Sequence, residues 1–173
     1  DETSPLKDIV DDVLPLKAGA EVSVAATKSY LATLSALLQL TAYWSKNSEL
    51  IAALDTLPDA LQTIIDSEPQ LTSASIDGVK NMVILGRGLG YAVSKEMALK
   101  LKEVSSIHAE AFSSAEFLHG PITLVEQGLA ILNCAVEDES AASHQAQIDE
   151  VGQRGADLVH LRQTDNNVHP RLA

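Results

Sequence analysis

Three charged residues, Glu96, Lys100 and Glu103, have the spacing that places side chains together on one face of a helix. Residues i, i+4 and i+7 of an α-helix project from nearly the same side. A carboxylate beside a lysine stays ionised, and it can move a proton when the carbonyl and α-carbon of a substrate lie next to it. Solvated helix ion pairs have the same spacing, so a purely structural role stays open on spacing alone.

His119 immediately precedes Gly120 and Pro121, a dipeptide that is typical of a sharp turn. A turn exposes the side chain, and an imidazole is suited to proton transfer to an oxygen near neutral pH. A lone histidine in a loop is still more often incidental. Two histidines and two glutamates lie between residues 108 and 119, but their spacing fits no zinc-binding pattern. We therefore expect no metal site.

A glycine turn, Gly86-Arg87-Gly88-Leu89-Gly90, could present backbone N–H groups and a helix N-terminus to an anion. Its spacing is neither the full dinucleotide-binding fingerprint nor a P-loop. A tight strand-to-helix turn with no ligand explains the same residues, and this interpretation is favoured.

Charge and hydropathy exclude several classes of protein. The 173 residues contain 12 Lys and Arg against 24 Asp and Glu, and a formal charge of −12 would repel a nucleic-acid backbone. No apolar stretch approaches the roughly 20 residues that cross a bilayer, so we expect a cytoplasmic protein without a membrane partner. The single cysteine, Cys134, cannot form an internal disulfide and is interpreted as a small buried core residue.

The elements that must position these residues follow from hydrophobic periodicity. Residues 23–46 have the apolar spacing of a helix with one buried face, and residues 48–76 are predicted to be helical with interruptions. Within that second stretch Pro58 is expected in the first turn of a further helix.

From residue 80 onward strands and helices alternate. Strands are predicted at residues 82–85, 129–134 and 157–161, and helices at residues 91–104 and 140–154, with a turn-like tail at residues 165–173. This alternation is typical of an α/β fold with a parallel sheet flanked by helices on both faces.

Five segments, taken in this order and spacing, resemble the sugar isomerase (SIS) domain family. They are EVSVAATK at 21–28, GRG at 86–88, EMALKLKE at 96–103, IHAE at 107–110 and EFLHGP at 116–121. Within the family, the resemblance is closest to the isomerase half of glucosamine-6-phosphate synthase and to its relatives without a glutaminase, the phosphosugar isomerases and glucosamine-6-phosphate deaminases.

The resemblance implies a pair of SIS lobes with the active site between lobes and at a homodimer interface. Residues 1–70 would be the end of the first lobe and the inter-lobe helices, and residues 71–173 the second lobe. The phosphate-binding part of the first lobe and a C-terminal tail would be missing. The implied partner is a phosphorylated amino sugar or related phosphosugar, and no cofactor is implied.

The resemblance also assigns roles to single residues. Glu103 matches the base that moves a proton between C1 and C2 of the open-chain sugar. Glu96 and Lys100 match the neighbours that orient it. His119 matches the histidine that assists ring opening, which in the synthase comes from the partner subunit. Val24 and Ala26 match positions at the sugar site, although Ala26 replaces a hydroxyl-bearing residue of the synthases.

The implied activity is the conversion of glucosamine 6-phosphate to fructose 6-phosphate and ammonia, or isomerisation of a related phosphosugar. Phe117 and Leu118 stand where synthases tend to have Leu-Lys, which favours the deaminase and isomerase branch. Two alternatives remain. One is the glutamine-dependent synthase, and the other is a phosphosugar-binding regulator without turnover, which would not require Glu103 and His119 to occur together.

Overall fold

The computed structural model describes residues 3–161, and the predicted turn-like tail at residues 165–173 lies outside them. The chain divides into two compact units, of which the first ends at Asp66 and the second begins at Ser67. The first unit is helical, and the second contains the sheet.

The first unit contains a short 3-10 helix (Pro5–Asp8) and two long helices, α1 (Thr27–Ser45) and α2 (Ser48–Asp66). The predicted break at Asn47 is confirmed, since Lys46 turns the chain into the left-handed region with φ 53° and Asn47 Oδ1 accepts a hydrogen bond from Leu50 N. The expected helix start at Pro58 is wrong, because α2 continues through this residue. A proline inside a helix removes one i→i−4 hydrogen bond and its ring crowds the carbonyl of residue i−4, which costs about 3 kcal/mol, so helix interiors seldom contain one.

The predicted apolar face of α1 is not buried in the described structure. Ala42 is the buried residue of this helix, whereas Leu31, Leu34, Leu37 and Trp44 keep between 41% and 81% of their surface exposed. The helical periodicity was therefore a correct guide to secondary structure, and burial of the whole apolar stripe was an incorrect inference from it.

The second unit is built on a four-stranded parallel sheet in the order β2-β1-β3-β4. Its strands are β1 (Asn81–Gly86), β2 (His108–Ser113), β3 (Ala130–Cys134) and β4 (Asp157–Leu161). Its helices are α3 (Leu89–Ser105), α4 (Ser114–Leu118) and α5 (Ala141–Gln153), with a 3-10 segment at Pro121–Gln127. The predicted α/β class and all three predicted strands are confirmed.

Strand β2 was not predicted, and its sequence explains why. It lies at an edge of the sheet and reads His-Ala-Glu-Ala-Phe-Ser, in which only Ala109 is fully buried. An edge strand with one solvated face alternates polar and apolar residues, and alanine contributes little to that signal.

The sheet separates two hydrophobic clusters, because successive strand residues point to opposite faces. On one face, named here the α3 face, Met82 and Ile84 of β1 pack with Ala98 and Leu101 of α3. On the other, the α5 face, the alternate residues of β1 pack with Phe117 of α4 and with Ile148 and Val151 of α5. Helix α3 therefore lies on one side of the sheet and helices α4 and α5 lie on the other.

The glycine turn between β1 and α3 depends on Gly88. Its backbone has φ 55° and ψ −129°, a conformation that is essentially restricted to glycine. A Cβ at this position would also overlap the Asp138 carboxylate and lie 2.8 Å from Ser140 Oγ. The third residue of this turn must therefore lack a side chain.

We expect Gly88→Ala to lower the free energy of unfolding by more than about 2 kcal/mol, since backbone strain and steric overlap add. The matched control is Gly128→Ala, where φ is 69° and a new Cβ would meet nothing within 4 Å. It should cost about 1 kcal/mol from the left-handed backbone alone. Urea unfolding of both variants measures the difference, and equal losses would contradict the packing described for Gly88.

Candidate active site

Helix α3 carries the predicted ion-pair row on its outer side. Gly90, Ser94, Ala98 and Leu101 take the buried positions facing the sheet, so Glu96, Lys100 and Glu103 project from the opposite part of the helix. Lys100 Nζ lies 3.3 Å from Glu96 Oε1 and 2.7 Å from Glu103 Oε2. The structure thus brings three of the predicted site residues together, with Lys100 bonded to both glutamates.

The hydrogen bond to Glu103 is the main cause that raises the pKa of Lys100, with burial acting against it and Glu96 adding to it. The lysine is therefore a fixed cation at neutral pH. The side chains of Glu96, Lys100 and Glu103 keep 19%, 21% and 23% of their surface exposed, so a small molecule can reach them. A carboxylate held in place by a cation is what a proton transfer between two adjacent carbons requires.

His119 is exposed and directly follows α4, as its place before Gly-Pro predicted. Its backbone N–H donates to Glu116 O at 3.1 Å, closing the last turn. Two residues earlier, the fully buried ring of Phe117 anchors α4 to the α5 face. The centroids of the Phe117 and Phe112 rings are 5.8 Å apart. His119 is thus carried by a short helix whose position depends on the core.

The structure does not bring Glu103 and His119 together within one chain. Helix α3 returns the chain from the carboxyl end of β1 to the amino end of β2, so Glu103, near the end of α3, lies about 21 Å along the helix from Leu89. His119 follows α4 just after the carboxyl end of β2, on the other side of the sheet. The two residues therefore follow opposite ends of the strands, on elements that pack against opposite faces of the sheet.

Val24 and Ala26 lie in the first unit, in a loop that leads into α1. Two contacts close this loop: Glu21 Oε1 accepts from Ser29 N at 2.7 Å, and Lys28 Nζ donates to Ala20 O at 2.6 Å. Val24 lies in the middle of the loop and keeps 83% of its surface exposed. Ala26 is the N-cap residue of α1 and has no side-chain cap, so Glu21 supplies the helix with an acceptor instead.

A cavity of about 660 Å³ opens at the amino edge of the sheet, and sequence reasoning did not find it. Its polar lining includes Lys80, Asn81, His108, Glu110 and Asp157, and none of the predicted site residues belongs to it. Through residues 3–161 no group of three or more His, Cys, Asp or Glu is arranged to hold a metal ion. Cys134 is 6% exposed and burial raises the pKa of its thiol, which confirms it as a core residue.

The family model of the SIS domain matches residues 75–173. The chain belongs to the SIS domain family. No helix among the described residues of this SIS chain is long and apolar enough to span a bilayer.

A curated relative of the SIS chain is the isomerizing glutamine--fructose-6-phosphate aminotransferase of Caldanaerobacter subterraneus subsp. tengcongensis. It is 36% identical over 167 residues, which cover 90% of this chain and 28% of that enzyme. The chain therefore spans little more than a quarter of this curated relative.

Two solved structures are similar to the SIS chain. One is a protein from Silicibacter pomeroyi DSS-3 that has been assigned as a phosphosugar isomerase. It is 37% identical to this chain with a TM-score of 0.83, and the match covers 99% of this chain and 52% of that one. The C-terminal domain of the glucosamine-fructose-6-phosphate aminotransferase of Francisella tularensis is 36% identical with a TM-score of 0.70, over 83% of this chain and 43% of that one.

The glycine turn of this SIS chain is occupied by the protein itself. Leu89 N donates to Asp138 Oδ2 at 3.1 Å, and the next two N–H groups bond to the carbonyls of Arg87 and Gly88. Asp138 thus supplies the negative charge that the N-terminus of α3 favours. The predicted tight turn from strand to helix is confirmed, and Asp138, 49 residues away, is a contributor that local patterns could not reveal.

We expect Asp138→Asn to lower the free energy of unfolding at neutral pH by about 0.3–1 kcal/mol, because Asn keeps an oxygen acceptor but loses the negative charge that favours a helix N-terminus. Hydrogen bonds from Ser140 are the main cause that lowers the pKa of Asp138 below 3.8. Because the folded pKa lies below the unfolded one, this contribution is complete above about pH 4 and is lost as the pH falls through the folded pKa. The variant should therefore unfold with a shallower acid dependence than the wild type.

Thermal unfolding from pH 7 to pH 2 checks this expectation. The control is Asp149→Asn, which alters an exposed carboxylate of α5 that accepts a hydrogen bond from Gln145 Nε2 at 2.7 Å. If both variants showed the same stability and the same acid dependence, the cap would not contribute.

Proposed function

We propose that this SIS chain belongs to an enzyme that converts glucosamine 6-phosphate and water to fructose 6-phosphate and ammonia. Glu103 removes the proton from C2 of the open-chain aldehyde form of glucosamine 6-phosphate and returns it to C1 of the resulting enolamine, which gives an imine at C2. Hydrolysis of the resulting C2 imine then releases the nitrogen. Proton transfer between adjacent carbons needs one carboxylate that reaches both, and this requirement matches a single fixed glutamate.

The observation that carries this proposal is the ion-pair row on α3. Lys100 holds Glu103 at 2.7 Å, and Glu96 holds the same lysine from the previous turn. An exposed ion pair contributes little to stability, so two carboxylates converging on one partly covered lysine are better explained by orientation of Glu103. The relatives named as aminotransferase and phosphosugar isomerase give this arrangement a substrate class.

The proposed site is completed by a second copy of the chain. Within one chain, Glu103 and His119 belong to elements on opposite faces of the sheet, and this separation supports a site shared between two copies. A symmetric dimer would place His119 of one subunit beside Glu103 of the other, and each dimer would then contain two equivalent sites. His119 would assist opening of the sugar ring, and Glu103 would act on the open chain.

The second candidate function is glutamine-dependent synthesis of glucosamine 6-phosphate, in which the nitrogen comes from glutamine. Its support is the similarity to the isomerizing glutamine--fructose-6-phosphate aminotransferase of Caldanaerobacter subterraneus subsp. tengcongensis. Leu118 favours the deaminase instead, because it packs on the hydrophobic cluster of the α5 face, where the synthases tend to have a lysine. Both candidates share the proton transfer by Glu103 and differ in the source of ammonia.

The complete polypeptide that contains these residues should be incubated with glucosamine 6-phosphate, and fructose 6-phosphate and ammonia should be followed together. We expect equal amounts of both products without glutamine. Product formation in the reverse direction that requires glutamine would establish the synthase instead. Binding of the sugar phosphate without either reaction would contradict both enzymes and indicate a regulator.

In the same assay Glu103→Gln should lower kcat at least about a hundredfold, since a general base contributes a factor of that order. Glu150→Gln is the matched control, because Glu150 also pairs with a basic residue of its own helix, Arg154 at 3.0 Å. It should leave kcat unchanged. If Glu103→Gln retained activity within severalfold, Glu103 would not be the base.

A further inference from the structure

Five polar side chains form a continuous hydrogen-bond network inside the second unit, named here the His144 network: Ser114, Asn133, His144, Gln147 and His160. His144 Nδ1 lies 2.8 Å from Ser114 Oγ, and His144 Nε2 lies 2.7 Å from Asn133 Oδ1. Asn133 Nδ2 continues to His160 Nδ1 at 3.1 Å, and Ser114 Oγ reaches Gln147 Oε1. The network links β3, β4 and α5 to the first residue of α4.

The central members of the network are completely enclosed. Ser114, Asn133 and His144 are 1%, 0% and 4% exposed. A buried polar group that loses its partner costs about 1–3 kcal/mol. These contacts are therefore a strict geometric constraint on the segments that carry them.

The proton positions in the network follow from its acceptors. Asn133 Oδ1 only accepts, so His144 Nε2 carries a proton. Ser114 has one hydroxyl proton, which it donates either to Gln147 Oε1 or to His144 Nδ1. Donation to Gln147 leaves both ring nitrogens of His144 as donors, whereas rotation of the Gln147 amide lets Ser114 donate to a neutral ring. The network therefore has two fully bonded arrangements, one for each protonation state of His144.

Burial is the main cause that lowers the pKa of His144, and Arg87 lowers it further while Asp138 acts against both. The neutral ring is thus the form at pH 7. In this form Ser114 would donate to His144, and the Gln147 amide would rotate so that its nitrogen replaces the Oε1 that contacts Ser114 in the structure. His160, reached through Asn133, is the other titratable group in the network.

Ser114, His144 and Asn133 are residue types that also occur in nucleophilic catalysis, but their burial excludes that use. A nucleophile must touch its substrate, and the Ser114 hydroxyl is enclosed by protein and already engaged by two partners. Any effect of the network on a substrate must therefore be indirect, through the position of the helix that begins at Ser114.

That segment is α4, a helix of five residues that cannot be stable without tertiary contacts. Its N-cap residue, Ser113, makes no side-chain cap bond. Two anchors fix it instead: the hydroxyl of Ser114 at its start and the buried ring of Phe117 near its end. His119 follows at the C-cap, so its place is set by these two anchors.

We propose that His144, acting through Ser114, is a positioning residue for His119 in the ring-opening step. This inference rests on the proposed function, because it assigns the step that the network serves. Loss of the Ser114 anchor should let α4 shift relative to the sheet. A displacement of about 1 Å at a catalytic group can cost about a hundredfold in rate.

The test compares two buried hydroxyls on opposite sides of the sheet in the complete polypeptide. Ser114→Ala removes the anchor of α4, and Ser94→Ala removes a hydroxyl that is 0% exposed and bonds to Gly90 O within α3. Ser114→Ala should lower kcat with the cyclic sugar roughly tenfold to a hundredfold and with an open-chain analogue less than about twofold. Ser94→Ala should leave the ratio of the two rates unchanged.

His144→Gln provides a second variant, in which one amide replaces the two ring nitrogens. It should change the ratio of rates in the same direction as Ser114→Ala. The positioning role would be overturned if folded Ser114→Ala and His144→Gln proteins lost activity equally with the cyclic sugar and the open-chain analogue, or lost none with either.

The imidazole signals of His119 in an NMR spectrum give a readout that does not depend on turnover. They should shift in Ser114→Ala and stay in place in Ser94→Ala. If the wild type turned over neither substrate, the proposed function would fail, and these signals alone would decide whether Ser114 positions His119. Equal shifts in both variants, or none in either, would contradict the inference.

Discussion

The crossover between the two parallel strands β1 and β2 is the constraint on which the rest of the structure depends. Parallel neighbours require the connecting helix to return along one face of the sheet, so the ion-pair row of α3 is carried away from the carboxyl edge. The chain then enters α4 on the opposite face. One short stretch of sequence thus places Glu103 and His119 on two sides of the same layer.

Polar contacts of two kinds support these two positions. On the α3 face Lys100 pairs with Glu103 at a partly exposed surface, where an ion pair contributes little to stability. On the α5 face a closed, buried network fixes the start of a helix too short to fix itself. The proposed function accounts for the difference: a base must reach its substrate, whereas a group that only positions another can be enclosed.

Patterns within the sequence predicted most of the second unit, because buried strands and an amphipathic helix have strong local signals. They did not predict β2, whose alanines and polar residues carry a weak signal. Nor could they reveal the bond from Asp138 to Leu89 N or that between His144 and Ser114, because these pairs are 49 and 30 residues apart. The ion-pair row was visible as spacing, but the separation of Glu103 from His119 required the topology.

The proposed active site combines Glu103 of one subunit with His119 of another. Mixing and refolding Glu103→Gln with His119→Asn tests it, since half of the random dimers are mixed and each of these has one intact site. The account predicts that two nearly inactive proteins regain about one quarter of wild-type activity. Activity no higher than that of the separate variants would contradict it, because a site built within one chain cannot be restored by mixing.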